Sequence, residues 1–140
     1  GLQSASVQNN KSALHQTKAF IAANDIAERI RANRTAALLG DYDQYRSSNV
    51  PTDPGCGNRP CTDREIASHQ LFDWSHNFAN VYGDERFIGL LPGGAGEIDY
   101  NPADETYQVQ ISWIEQAYEQ ANGSAVKQDR RRTHSLVLAL

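Results

Sequence analysis

The sequence predicts an α+β fold in which a long N-terminal helix packs on a small antiparallel sheet of about three to four strands, with a second helix beside it. Residues 1–39 contain no proline and no glycine after Gly1, as a long helix requires. Apolar residues beyond position 96 instead recur at every second position, which is typical of strands with one wet face. A chain of 140 residues can bury one core, so we expect 1–140 to form a single domain.

The long helix, predicted over residues 1–39, carries an apolar stripe only in its second half. Four residues at i, i+4, i+7 and i+11 form that stripe: Ala19, Ala23, Ile26 and Ile30. We expect Phe20 and Ala27 to widen it, and Gly40 stands where a C-cap glycine belongs. The first dozen residues offer only Leu2, Ala5 and Val7 as apolar side chains, so we expect that part of the helix to project from the core.

The segment 40–62 reads as a loop that contains both cysteines. Cys56 and Cys61 lie among prolines and glycines that neither helix nor strand accommodates. We predict a disulfide between them, which would close a short loop and stabilise the fold by about 2 kcal/mol. The alternatives are two free thiols or a zinc site, but no second Cys or His pair follows to complete four zinc ligands. A structural disulfide indicates an oxidising compartment outside the cytoplasm.

A second helix is predicted over residues 63–82. Thr62 with Glu65 three positions later forms a capping box, which marks the helix start. Its apolar face consists of residues that step by four, three, four and three: Ala67, Leu71, Trp74, Phe78 and Val81. Gly83 is expected to end the helix, and the glycine-rich stretch 92–96 is expected to form a turn.

The remainder, 96–140, is predicted to be an antiparallel meander. Its central strand runs through Tyr107, Val109, Ile111 and Trp113, and a last strand runs from Arg132 to Leu140. Residues 116–129 are interpreted as a short helix or an irregular loop, with a turn at 122–123. We expect the core between helices and sheet to contain Ala19, Ala23, Ile26, Ile30, Leu71, Trp74, Phe78, Val109, Ile111 and Trp113.

Charge and composition argue against nucleic acid and against a membrane span within these residues. The formal net charge is −4, and the longest apolar runs fall well short of the roughly 20 residues that a span requires. Two local basic runs occur, one at Arg130, Arg131 and Arg132 with Lys127, the other at Arg29, Arg31 and Arg34. We interpret both as solvated charges that pair with carboxylates, or as charges that set the register between subunits.

No pattern in the sequence predicts an active site. His69, Asp73 and His76 share one side of the second helix and could form a three-ligand metal site, but that side is opposite the apolar face, so we interpret them as solvated. A calcium site from Asp41, Asp43 and 101–105 lacks a spaced acidic series. We therefore predict no enzyme activity, no metal, no cofactor and no small-molecule substrate.

The order of these segments resembles a type IV pilin, and particular motifs resemble its PilV-like minor pilin branch. Residues 27–37 followed by Gly40-Asp41-Tyr42 look like the end of that branch's first helix. Further landmarks are similar and occur in the same order: Cys61–Ala67, Asp73-Trp74, Leu91–Ile98 and Tyr107–Trp113. The resemblance covers most of the chain and is weakest over 116–129.

The resemblance implies a protein that is first anchored in the bacterial inner membrane, with a periplasmic domain, and later displayed in a cell-surface pilus. Members are made with a short leader and an apolar half-helix, both of which would precede Gly1, so the sequence is expected to be the soluble part of a longer chain. Leu2, Ala5, Val7 and Leu14 would then pack against neighbouring subunits. The implied partners are other minor pilins and the major pilin, in a tip complex that primes filament assembly and so supports adhesion and twitching motility.

Two related readings remain open. Minor pseudopilins of type II secretion systems share the long helix and small sheet and also act in a tip complex. A tip adhesin would instead present the cysteine loop or residues 116–129 to a surface. Independently of these readings, the apolar residues of the last strand predict that a partner or the chain's own loops cover its edge.

Overall fold

The computed structural model describes residues 2–121 and 123–140, with side chains described at 7, 9–117 and 123–140. Within these residues the fold has four helical elements and four strands. Helix α1 spans Leu2–Ala32, α2 spans Arg34–Leu38, α3 spans Asp63–Trp74, and a single 3-10 turn spans Ser75–Asn77. The strands are β1 (Tyr45–Arg46), β2 (Ala95–Asn101), β3 (Thr106–Ala121) and β4 (Ser124–Ala139). The α+β architecture predicted from the sequence is thus confirmed.

All four strands form one antiparallel sheet in the order β1-β2-β3-β4. Strand β1 lies in a stretch that we expected to be loop, where Tyr45 pairs with Ile98 and Arg46 with Glu97. The β2–β3 pairing ends with Ala95 opposite Ser112, whereas β3 and β4 pair along 16 residue positions, from Thr106 opposite Ala139 to Ala121 opposite Ser124. Residues 113–121 of β3 and 124–132 of β4 therefore continue beyond the rest of the sheet as a two-stranded ribbon, whose far end is called its upper end below.

This ribbon corrects the interpretation of residues 116–129 as a short helix or an irregular loop. They belong to two paired strands, with Gln116 opposite Asp129 and Ala117 opposite Gln128. Gly123 has φ +79°, a conformation that glycine adopts without steric cost. Asn122, the other residue of the predicted turn, lies outside the described residues. The pattern gave no strand signal because apolar and polar residues do not alternate regularly between 116 and 129.

The first helical segment is interrupted at Asn33, within the predicted 1–39 helix. The Asn33 side chain is buried and donates to the Tyr42 hydroxyl (3.1 Å) and to the carbonyl of Asp63 (2.8 Å), so it joins the helix to the following loop and to α3. After α2, Gly40 adopts φ +79° and donates to Ala37, while Asp41 donates to Ala36. These two bonds form the Schellman motif that the C-cap glycine predicts.

The second helix begins as predicted but ends earlier than Gly83. Thr62 and Glu65 form the capping box. The α-helix stops at Trp74 because polar side chains then compete for backbone groups: the Ser75 hydroxyl donates to the Leu71 carbonyl (2.6 Å), and Asn77 donates to the Trp74 carbonyl (2.9 Å). Val81 consequently lies beyond the helix rather than on its apolar face.

The core lies between the second half of α1, the inner face of the sheet and α3. Its members include fully buried aromatic and branched side chains: Ile26, Ile30, Tyr42, Trp74, Ile98, Tyr107, Val109, Ile111, Trp113 and Leu138. Ala19, Ala23 and Leu71 are buried with them, and Phe78 packs against them while partly exposed. Phe20 does not widen the buried stripe: it is exposed, and its ring meets the edge of His134 at a centroid distance of 6.0 Å.

Candidate assembly surface

Three apolar residues spaced seven apart form an exposed line along α1. Val7, Leu14 and Ile21 are 54%, 53% and 61% exposed. Seven residues are close to two turns of an α-helix, so the three side chains lie almost above one another. This line, called the outer stripe below, points away from the sheet, because the buried Ala19, Ala23 and Ile26 occupy the opposite side of the helix.

An exposed seven-residue repeat is the pattern that a second helix recognises. Knobs at this spacing fit the grooves of a partner helix packed at a small angle. No described residue of α1 before Ala19 is buried, so this half of the helix lacks a core of its own within the described chain. Val7 and Leu14 were predicted as packing residues, whereas Ile21 was missed; the side chains of Leu2 and Ala5 lie outside the described residues.

The inner side of α1 is held to the domain by specific hydrogen bonds as well as by apolar contact. The Trp74 indole donates to the Ala22 carbonyl of α1 at 2.9 Å, and just beyond α1 the Tyr107 hydroxyl donates to the Ala37 carbonyl of α2 at 2.7 Å. Alanines at 19, 22, 23 and 27 are buried along this side and allow the large aromatic side chains to approach the helix closely. The domain thereby fixes the direction in which the outer stripe points.

A buried carboxylate, Glu115, ties α1 to the base of the ribbon. It is only 4% exposed and receives hydrogen bonds from three elements. The Trp113 indole donates to Oε1 at 2.9 Å, Nδ1 of His15 lies 3.2 Å from the same oxygen, and the Arg132 guanidinium donates to Oε2 at 3.2 Å. His15 belongs to the half of α1 that precedes the core, so Glu115 connects that half with β3 and β4.

The environment of Glu115 favours its ionised form. Burial raises the pKa of this carboxyl, but hydrogen bonds from Trp113, His15, Arg132 and Ser12 lower it by more, so the pKa lies below the ordinary value for glutamate. The guanidinium of Arg132 is half exposed and supplies a compensating positive charge. Glu115 is therefore a charged link inside a mostly apolar interface.

Sequence reasoning missed Glu115, although a signal was present. Residues 107, 109, 111 and 113 alternate inward as Tyr, Val, Ile and Trp, and Glu115 is the next inward position of the same strand. A carboxylate in phase with a buried stripe requires a partner, which the sequence supplies as Arg132, opposite Trp113 on β4.

A turn at Pro92–Gly94 supports the ribbon from the side that β2 leaves open. Ile114 donates its backbone N–H to the Pro92 carbonyl at 2.8 Å. Gly93 has φ +54°, and a Cβ added there would lie 2.8 Å from Cδ1 of Ile114, so only glycine fits this approach. The turn, Ile114, Lys11 and His15 border a cleft of about 510 Å³ between α1 and the ribbon.

The predicted basic runs form several ion pairs. Arg29 contacts Asp25 at 3.1 Å and Asp73 at 2.8 Å, which links α1 to α3. Arg132 pairs with Glu115, and Arg131 donates to the uncharged Ser112 hydroxyl at 2.8 Å. Lys127 is exposed on the ribbon.

The possible metal ligands on the second helix bind separate partners. His69 lies 2.9 Å from Asp53, and His76 lies 2.9 Å from Asp84, while Asp73 contacts Arg29 and accepts from Tyr82. Within the described part of the chain, no group of three His, Cys, Asp or Glu side chains is placed to hold a metal ion.

The cysteine loop lies beside the start of α3, and residues 57–60 between its cysteines are exposed. Cys56 and Cys61 are joined by a disulfide with a Cα–Cα distance of 5.6 Å. Arg59 between them donates to the Pro54 carbonyl (2.8 Å) and to Glu65. The hydrogen bond from Arg59, with that of the Thr62 backbone, lowers the pKa of Glu65 to about 2. The hydrogen bonds of Arg59 thus connect the loop with the start of α3.

Comparisons with known proteins identify one family. The family model described as Tt1218-like, Type IV pilin Tt1218, matches residues 1–73, which cover α1, α2, β1 and most of α3. No curated protein and no solved structure matches the sequence. Among the residues that the structure describes, no helix is both long and apolar enough to cross a membrane.

Proposed function

The chain belongs to the Tt1218-like family of type IV pilins, and we propose that it is a minor pilin. Pilins are structural subunits of cell-surface filaments rather than enzymes. In this proposal the protein joins other minor pilins and the major pilin in a complex at the filament tip, which primes assembly and so supports adhesion and twitching motility. The similarity of residues 27–42, 61–67 and 91–98 to PilV-like minor pilins supports the assignment to a minor rather than a major subunit.

The outer stripe is the observation that carries the proposal. Val7, Leu14 and Ile21 are each more than half exposed on a helix whose first half buries no described residue. Burial of the exposed part of each side chain against a neighbouring helix would contribute about 1 kcal/mol. A few kilocalories per mole from the stripe would add to the binding energy of the apolar half-helix that the family resemblance places before Gly1.

The disulfide supports the proposed compartment. Cys56 and Cys61 are oxidised, as expected for a domain that matures in the periplasm and is then displayed on the surface. In the proposed pathway the protein is anchored in the inner membrane by a preceding apolar helix and leaves the membrane when the filament grows.

Deletion of the gene from the bacterium that encodes it tests the proposal. Loss of most filaments in electron micrographs, with restoration by the wild-type gene, is expected for a priming minor pilin. Unchanged filaments combined with defective protein secretion would instead identify a type II secretion pseudopilin. Loss of filaments in the deletion strain, together with a high copy number of this chain in sheared pili of the wild type, would instead identify a major pilin.

A tip adhesin is the second candidate, because the described residues of the upper ribbon are almost entirely exposed. Every described residue from 123 to 133 is exposed, and residues 57–60 of the cysteine loop are exposed as well. An adhesin is supported if cells that lack the gene retain normal filaments but fail to attach to surfaces. Replacement of the ribbon tip would then remove attachment without removing filaments.

A further inference from the structure

The two edges of the sheet differ in how they are covered. On one side, β1 and the residues before and after it bond to β2: Ser47 donates to the Gly96 carbonyl at 2.9 Å, and the Tyr100 N–H donates to the Asp43 carboxylate at 2.7 Å. On the other side, β4 is the last strand of the sheet. Among the described residues, no backbone hydrogen bond from a loop reaches the outer side of β4, and the bond from Leu140 to the Glu105 carbonyl lies on the β3 side.

The register identifies the free backbone groups of β4. Ile114 directs its N–H toward Pro92, away from β4, so the odd residues of β3 are the ones that bond β4. Their partners are the even residues of β4, such as Arg132, His134, Leu136 and Leu138. The odd residues of β4 therefore direct N–H and C=O outward, and these include Arg131, Thr133, Ser135 and Val137.

The lower half of this edge lacks the usual protection against strand pairing. Residues 133–139, Thr-His-Ser-Leu-Val-Leu-Ala, contain no Lys, Arg, Asp, Glu or Pro. Natural edge strands are normally shortened, bulged or charged, because an open row of N–H and C=O groups recruits another strand. Here β4 pairs with β3 along all 16 of its residues without a bulge, and Val137 beside the edge is 62% exposed.

The upper half of the same edge is positively charged. Lys127, Arg130, Arg131 and Arg132 lie within six residues that contain one carboxylate, Asp129. Glu115 compensates Arg132, whereas within the described residues no carboxylate pairs with Arg131 or Lys127. An incoming strand would therefore meet an apolar, neutral edge followed by excess positive charge.

We propose that β4 is a strand-addition site for another pilin subunit, whose edge strand carries Asp or Glu opposite Arg131 and Lys127. Main-chain hydrogen bonds supply the affinity and the acidic residues set the register. A second copy of this chain fits less well, because antiparallel pairing of two β4 strands along their length would bring the basic residues 130–132 of both copies opposite one another. This inference rests on the proposed function as a pilus subunit.

The experiment places a photo-reactive benzoylphenylalanine at Val137 in the cell that encodes the protein, with the same residue at exposed Glu85 as a control position. We expect irradiation to cross-link position 137 to a different pilin. Mass spectrometry of the product should identify the linked peptide as part of an acidic strand of that pilin. Position 85 is expected not to give this product.

Two matched pairs of variants distinguish strand addition from simple proximity. Ser135→Pro removes an outward N–H without disturbing the hydrogen bonds between β4 and β3, and it is expected to reduce the cross-link yield at least tenfold. Ser135→Ala keeps that N–H and is expected to leave the yield unchanged. Arg131→Glu is expected to weaken it and Arg131→Lys to preserve it. Circular dichroism and thermal melting of each purified variant verify that the fold persists.

Three results would overturn the inference. These are a cross-link that survives Ser135→Pro in a folded protein, a product that joins two copies of this chain, and incorporation into pili at the normal level without any cross-link at position 137. In the last case the proposed function as a pilus subunit would stand while the strand-addition site would not, so the two failures are distinguishable.

Discussion

Replacement of Glu115 by alanine should destabilise the domain more than any comparable change of an exposed carboxylate. The substitution removes the acceptor of the Trp113 indole and leaves His15 and Arg132 without their common partner. Trp113 is fully buried, so its N–H would have no access to water, whereas Arg132 is half exposed and would be hydrated.

The expected loss of unfolding free energy follows from these contacts. One buried unsatisfied donor costs about 1–3 kcal/mol, and the loss of packing and of the partly buried ion pair adds about 1 kcal/mol. We therefore expect Glu115→Ala to cost about 2–4 kcal/mol. Glu115→Gln keeps one acceptor oxygen for Trp113 but presents an amide to other donors, so an intermediate loss of about 1–2 kcal/mol is expected.

Urea denaturation followed by tryptophan fluorescence measures these differences, and Glu85→Gln in an exposed loop is the matched control. The pH dependence supplies a second readout. Because the folded-state pKa of Glu115 is lowered, its contribution is complete above the unfolded value and is lost as the pH falls below about 4. The alanine variant should lose less stability than the wild type over that range.

The reasoning about Glu115 fails if Glu115→Ala unfolds within about 0.5 kcal/mol of the wild type, the range of ordinary surface substitutions. It also fails if the alanine variant and the wild type lose the same stability between pH 6 and pH 3, roughly the range in which a glutamate titrates.

Three further predictions concern the core and the loop. Gly96→Ala should cost about 1–3 kcal/mol in urea denaturation, because the new Cβ would lie 2.7 Å from the Phe78 ring, whereas Gly57→Ala meets nothing within 4 Å and should be nearly neutral. Reduction of the Cys56–Cys61 disulfide should lower the unfolding free energy by about 2 kcal/mol, and unchanged thermal melting with reductant would contradict this. Trp74→Phe removes the indole bond to α1 and should cost about 1–2 kcal/mol by the same assay, while a neutral result would show that the bond carries no stability.

Local rules predicted the parts of the fold that a few neighbouring residues determine. The capping box at Thr62 and the C-cap at Gly40 depend only on residues within one helical turn, and both are present. The central strand was readable because one of its faces is buried, so the sequence alternates from Tyr107 to Trp113.

Features that depend on distant contacts were not readable in this way. The ribbon escaped detection because its described residues from 123 to 133 are exposed on both faces, so no alternation of apolar and polar residues marks it in the sequence. The break at Asn33 serves a bond to Asp63, thirty residues away, and α3 ends at Trp74 because of side-chain bonds that propensity does not reveal.

The candidate surface was partly predicted. Val7 and Leu14 were expected to meet other subunits because no core residues accompany them, but Ile21 was overlooked because it lies beside the buried stripe in sequence. Its position on the outer side becomes clear only once Ala22, Ala23 and Ile26 are seen to face the sheet.

Incorporation of an outer-stripe variant into pili tests the central claim most directly. Val7, Leu14 and Ile21 are each replaced by serine in the encoding bacterium, and the amount of the protein in sheared pili is compared with that of the wild type and of Gln16→Ser on the same helix. The account predicts that the triple variant folds, with an unchanged thermal melt of its purified domain, but is largely absent from pili, while the control enters normally. Entry of the folded triple variant at the wild-type level would contradict the claim that this stripe packs against neighbouring subunits.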